Sequence, residues 1–120
     1  MEIKVIKNNV GTVEFSSPFG FAYGKWKSQS IPIIGNMYFV EIDIHSFESI
    51  EMSYVDRPFM DIVKDTIRIN MLLSIKEESW MIFCLNDDFI HMIIENKDDL
   101  IIGKYYLISS KSLEVFDCNY

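Results

Sequence analysis

The feature that most constrains this chain is the strict alternation of apolar and polar side chains in short runs. Over Met37–His45, Tyr38, Val40, Ile42 and Ile44 fall on one side, and Phe39, Glu41, Asp43 and His45 on the other. Successive side chains of an extended backbone point opposite ways, so a period of two marks a strand with one buried face. Ile67, Ile69, Met71, Leu73 and Ile75 repeat the pattern and are expected to share a core face with the Tyr38–Ile44 set. Composition agrees: 19 Ile, 7 Val, 2 Thr and 17 aromatics stand against one Ala, six Leu and one Gln. Branched and aromatic side chains suit a pleated surface, whereas helical domains draw on Ala, Leu and Gln. The expected fold is mainly β, a single domain over residues 1–120 forming an antiparallel barrel or sandwich with at most one short helix.

Further strands are expected at Ile3–Ile6, Thr12–Phe15, Phe19–Lys27, Trp80–Leu85, Phe89–Ile94, Gly103–Ile108 and Leu113–Phe116. Asn86-Asp87-Asp88 reads as a hairpin turn and Asn96–Asp99 as another polar turn. Residues 46–66 look irregular apart from one short helix over Asp56–Asp65, with Asp56 as N-cap and Pro58 in its first turn. The run Ile33-Ile34-Gly35-x-x-Tyr38 recurs as Ile101-Ile102-Gly103-x-x-Tyr106. It reads as one way of starting a strand used twice, not as a duplication.

Several function classes lose ground at once. No run approaches the roughly 18 apolar residues of a membrane span, so no membrane partner is expected. The N-terminus carries no secretory pattern, and a cytoplasmic location follows as the expectation. There Cys84 and Cys118 stay free thiols. Neither a phosphate loop nor a nucleophile–base spacing is visible, so no cofactor and no enzymatic activity are expected. Glu41, Asp43 and His45 share a strand face, but one flat strand cannot converge metal ligands. His91 lies in an apolar run and reads as a partly buried, hydrogen-bonded side chain, and the seven Met read as core filler.

Charge is the informative quantity. The chain carries a formal −7, divided unevenly: residues 1–40 hold four Lys and two Glu, residues 41–120 seven basic and sixteen acidic residues. The candidate partner-binding residues are Glu41, Asp43, Glu48, Glu51 and Asp56, which with Asp61 and Asp65 face only Arg57 and Lys64 nearby in sequence. Such a concentration repels phosphate and attracts a basic partner, and its plain alternative is a solvated face kept acidic for solubility.

Two resemblances sharpen these options. Gly11-Thr-Val-Glu-Phe15, followed by Phe19-Gly20-Phe21-Ala-Tyr23 and Lys25-Trp26-Lys27, resembles the first hairpin of nucleic-acid-binding OB domains. That implies an OB-like barrel over roughly residues 10–55 and aromatic stacking on bases, but the chain lacks the basic footprint nucleic acid requires. The second resemblance covers most of the chain. Gly11-x-Val13-x-Phe15, Gly20-x-Ala22, Trp26, Pro32-x-x-Gly35-x-x-Tyr38, Val40-Glu41-Ile42-Asp43-Ile44 and Leu113-x-Val115-Phe116-Asp117-x-Asn119 carry it. These are similar to small all-β bacterial proteins that look like immunity proteins of toxin systems, including contact-dependent inhibition. The resemblance implies a cognate toxin domain as partner, with a basic nuclease domain fitting the acidic surface, and no nucleic acid bound by the chain itself.

Overall fold

The computed structural model describes residues 1–94 and 99–118. The polar turn expected at Asn96–Asp99 therefore falls mostly outside the described residues. Eleven strands and no helix are present among them: β1 (Glu2–Asn9), β2 (Thr12–Ser17), β3 (Gly20–Trp26), β4 (Met37–Ile44), β5 (Ser49–Met52), β6 (Phe59–Val63), β7 (Thr66–Lys76), β8 (Trp80–Leu85), β9 (Asp88–Ile93), β10 (Tyr105–Ser110) and β11 (Leu113–Asp117). β1 pairs with both β2 and β4, β2 with β3, and β11 with β4, all antiparallel. A parallel pairing of β11 with β3 closes the ring, with Glu114 opposite Lys25 and Val115 opposite Trp26. The result is a five-stranded Greek-key barrel of OB type, filled by Ile3, Val5, Val13, Phe15, Ala22, Val40, Ile42, Ile44, Leu113 and Val115.

The remaining strands restate that barrel. Positions 68 apart correspond: β2 maps onto β8, β3 onto β9 and the start of β4 onto that of β10. All six residue pairs between β2 and β3 recur between β8 and β9, from Thr12–Lys25 against Trp80–Ile93 to Ser17–Gly20 against Leu85–Asp88. The bulge between Val5 and Lys7 returns between Leu73 and Ile75. The shared Ile-Ile-Gly-x-x-Tyr run is thus one part of a structural repeat, not merely a common start to two strands. In each copy a glycine at φ 90° turns the chain, and the tyrosine hydroxyl accepts the N–H of the first isoleucine: Tyr38 that of Ile33 at 2.9 Å, Tyr106 that of Ile101 at 2.7 Å. Gly35 N–H reaches the Val5 carbonyl as Gly103 N–H reaches that of Leu73. The sequence hid this because the matches are of burial, not identity: Val13 and Met81, Ala22 and Ile90, Pro32 and Leu100 fill equivalent buried places.

The closing strands are exchanged. β11, which follows β10, pairs with β4 of the first unit, while β5, which follows β4, pairs with β10 of the second. The second unit stays open, with the order β9-β8-β7-β10-β5 and no pairing of β9 with β5 among the described residues. The buried residues of both units form one core, which also takes in Met60 of β6.

Two expectations need correction. Residues 46–66 hold two strands rather than an irregular stretch with one helix: Ser49–Met52 is strand β5, and Phe59–Val63, inside the expected helix Asp56–Asp65, is strand β6, antiparallel to β7 through a tight turn in which Lys64 and Asp65 take φ of 50° and 64°. Left-handed backbone at both central positions makes a hairpin turn that fits strand twist, but Lys-Asp lacks the glycine that normally announces one. Ile75 leaves the core face and is 42% exposed, because the bulge after Leu73 shifts the alternation by one. The rest of that set, Ile67, Ile69, Met71 and Leu73, is buried, as are Val40, Ile42 and Ile44, with Tyr38 half-buried.

The two tyrosine caps differ in surroundings, which gives a prediction. Tyr106 is buried, and the Ile101 N–H it caps is partly buried, whereas the Tyr38–Ile33 bond is exposed. Tyr106→Phe is expected to cost about 1–3 kcal/mol in urea unfolding, because a sheltered donor loses its partner. Tyr38→Phe should cost less than half as much, since water replaces the hydroxyl.

Candidate acidic groove

β4 is held on both sides, by β1 and by β11, so its alternation is fixed. Val40, Ile42 and Ile44 fill the barrel, while Glu41 is exposed and Asp43 half-exposed on the outer side. Across from them stands the β8–β9 hairpin of the second unit. In β9, Ile90 and Met92 are buried, and Phe89, His91 and Ile93 are exposed. A groove of about 550 Å³ opens between β4 and this hairpin, with Glu41, Asp43, Asp87, Asp88, Phe39 and Phe89 among its lining residues. Smaller hollows continue it in both directions, one sharing Asp43 and His91, the other Phe39 and Cys118.

The groove combines negative charge with exposed rings. Phe39 and Phe89 are 64% and 67% exposed. The N-terminal ammonium lies 3.0 Å from the Asp88 carboxylate and donates to the Val40 carbonyl at 2.9 Å. His45 lies beside Glu114 and 4.0 Å from Asp43, and Lys27 lies 3.3 Å from Glu114. Glu41 and Asp87 have no ion-pair partner among the described residues. The middle of β4 and the turn before β9 therefore present carboxylates without an ion-pair partner, Glu41 and Asp87, in the same lining as two exposed rings, the combination that receives a Lys or Arg stem together with its charge.

The five candidate residues separate in the structure. Glu41 and Asp43 line the groove. Glu48 lies 3.7 Å from Lys111, Glu51 sits on β5 opposite Leu107, and Asp56 is exposed in the segment before β6; none of these three lines the groove or its side hollows. Chain proximity failed here because β5 leaves the first unit directly after β4. Asp87, Asp88 and Phe89 are the groove residues that sequence reading missed, since Asn86-Asp87-Asp88 signalled only a turn. His91 is exposed rather than partly buried, tilted against Trp80 with ring centres 5.4 Å apart. Of the methionines, Met60, Met71, Met81 and Met92 are buried, while Met37 and Met52 are exposed.

Among the described residues no three His, Cys, Asp or Glu side chains come together in a way that would hold a metal ion, and no helix is long and apolar enough to cross a membrane. Cys84 and Cys118 are both free thiols. Cys118 lines the groove, and burial, aided by the Glu41 carboxylate, pushes its thiol pKa up. A higher pKa means less thiolate at a given pH. Iodoacetamide at pH 8 should therefore modify Cys118 several-fold more slowly in the folded protein than in urea, where both thiols should titrate.

No family model, curated protein or solved structure matches the chain.

Proposed function

We propose that this chain is an immunity-type inhibitor that binds and neutralises a basic bacterial toxin domain in the cytoplasm, without catalysis or a cofactor. The observation that carries this reading is the groove between β4 and the β8–β9 hairpin, where Glu41, Asp43, Asp87 and Asp88 rim the exposed rings of Phe39 and Phe89. An apolar centre with a charged rim is the anatomy of a specific protein interface. The formal charge of −7 adds long-range attraction for a basic partner and speeds encounter. The test is to express the C-terminal domain of a toxin encoded beside this gene and measure complex formation by calorimetry and protection by co-expression. A tight one-to-one complex and restored growth are expected. Neither binding nor protection with any neighbouring toxin would end the reading.

A second reading rests on the barrel itself, whose β2–β3 face is the nucleic-acid platform of OB domains. Phe21 and Lys25 are exposed on β3, but Glu14 shares the sheet and the net charge opposes phosphate. Fluorescence anisotropy with single-stranded oligonucleotides separates the two. Salt-sensitive micromolar binding would favour the OB reading; none is expected.

A further inference from the structure

The internal repeat says more about the groove than its charge does. Strand β6 belongs to neither unit of the repeat; it lies against the start of β3 and along β7. Met60 is its inner residue: its N–H donates to the Phe19 carbonyl at 2.9 Å, it stands opposite Gly20 in parallel register, and it pairs antiparallel with Ile69. Shifted by 68 positions, Phe19, Gly20 and Ile69 correspond to Asp87, Asp88 and Met1. These three residues line the groove. Where one unit has a strand packed against the start of its third strand, the other has a 550 Å³ groove at the corresponding place.

We propose that the groove takes an extended, Lys- or Arg-bearing segment of a partner protein along the open edge of β9, on the side where β6 flanks β3 but not in the register of β6, because Asp88 carries a side chain where Gly20 has none. This rests on the inhibitor reading above and gives its mode of contact. The backbone is ready for it. In the β8–β9 hairpin, Leu85 and Asp88 close a two-residue turn, so Phe83–Ile90 and Met81–Met92 exchange hydrogen bonds while Phe89, His91 and Ile93 turn their N–H and C=O groups to the open edge. Added strands use such edge groups for affinity and side-chain pockets for specificity. In the β3 case the partner N–H comes to the Phe19 carbonyl beside Gly20; here the side chain of Asp88 stands in that place, and Phe89 and His91 offer the edge N–H and C=O groups.

The two sites differ in one respect that sets the chemistry of the occupant. Gly20, at φ 132°, lets the Met60 backbone close in, so that a methyl group there would lie 1.9 Å from the Met60 oxygen. The corresponding residue is Asp88, whose side chain keeps an incoming backbone from closing in as Met60 does; its carboxylate already meets the N-terminal ammonium at 3.0 Å, while Glu41 and Asp87 in the same lining have no ion-pair partner among the described residues. An apolar strand like β6 suits the first site. The second calls for positive charge on the incoming segment, its stem lying on Phe39 and Phe89.

The probe is a peptide with the sequence of Pro58–Lys64 carrying Asp61→Lys, added to the ¹⁵N-labelled whole protein. The expected result is saturable shifts at Asp88 and Phe89 and at least ten-fold slower exchange of the Phe89 amide. The same peptide N-methylated at alternate residues should bind at least ten-fold more weakly, since charge is retained but the donors to the β9 edge are lost. A glutamate in place of the new lysine should abolish binding. Shifts confined to groove side chains, with the Phe89 amide unprotected or the N-methyl peptide equally tight, would overturn strand addition while leaving the groove as a protein-binding site. No response to any peptide, or concentration-dependent dimerisation occupying the same amides, would likewise overturn the inference; the inhibitor reading then stands or falls separately on the toxin-protection assay.

Discussion

Gly20→Ala is expected to cost about 3 kcal/mol or more of folding stability, large for one methyl group on a half-buried glycine. Two effects act together. The φ of 132° lies where an L side chain is strained, and the added carbon would lie 1.9 Å from the Met60 carbonyl oxygen. That neighbour is backbone, so relief requires moving β6 away from β3 and unseating Met60, which is 2% exposed in the shared core. Gly35→Ala is the control: its φ of 90° carries strain as well, but nothing lies within 4 Å of the added carbon. It should cost about 1–2 kcal/mol, the strain alone. Urea denaturation of the two variants would check the contrast; equal losses would show that the close approach of β6 contributes nothing.

Phe15→Ala and Phe83→Ala are each expected to cost about 3–5 kcal/mol, from lost burial plus the cavity left behind. The two rings occupy equivalent places in the repeat and both are fully buried. The more telling expectation is that each variant still unfolds in a single transition. β5 leaves the first unit to pair with β10, and β11 leaves the second to close the first barrel. Neither unit keeps its sheet if the other melts, so damage in one is felt by both. Two resolved transitions in the Phe83 variant, with the barrel melting later, would show that the exchange does not couple the units.

Much of the strand content was legible because alternation and turn residues are local signals. Met37–Ile44 and the β8–β9 hairpin follow from them directly; strand number and spacing leave a barrel and a sandwich both open, and the parallel pairing of β11 with β3 decides for the barrel. The repeat was not legible: equivalent positions share burial while differing in residue, as with Val5 and Leu73 or Ala22 and Ile90. Strand β6 was obscured by Asp56 and Pro58, which make a good helix start on propensity, while pairing with both β3 and β7 decides otherwise. Half of the candidate site was legible for the same reason as the strands. Alternation places Glu41 and Asp43 outward, but the facing wall with Asp87, Asp88 and Phe89 comes from a hairpin more than 40 positions along the chain. Glu48, Glu51 and Asp56 were grouped with them by sequence distance, which the crossing of β5 to the other unit makes irrelevant.

On the proposed function, the acidic groove is where a basic toxin domain is held. The most direct measurement is toxin binding and growth protection by the Glu41→Lys, Asp43→Lys double variant, with unfolding measured alongside. Both side chains point away from the barrel core formed by Val40, Ile42 and Ile44, so the variant should fold with stability close to that of the parent. A desolvated carboxylate paired with a partner cation costs roughly 2–5 kcal/mol when lost, so affinity should fall by about thirty-fold or more. Association should slow most at low salt, where charges are least screened. A folded double variant that binds the toxin as tightly and protects as fully as the parent would contradict the account.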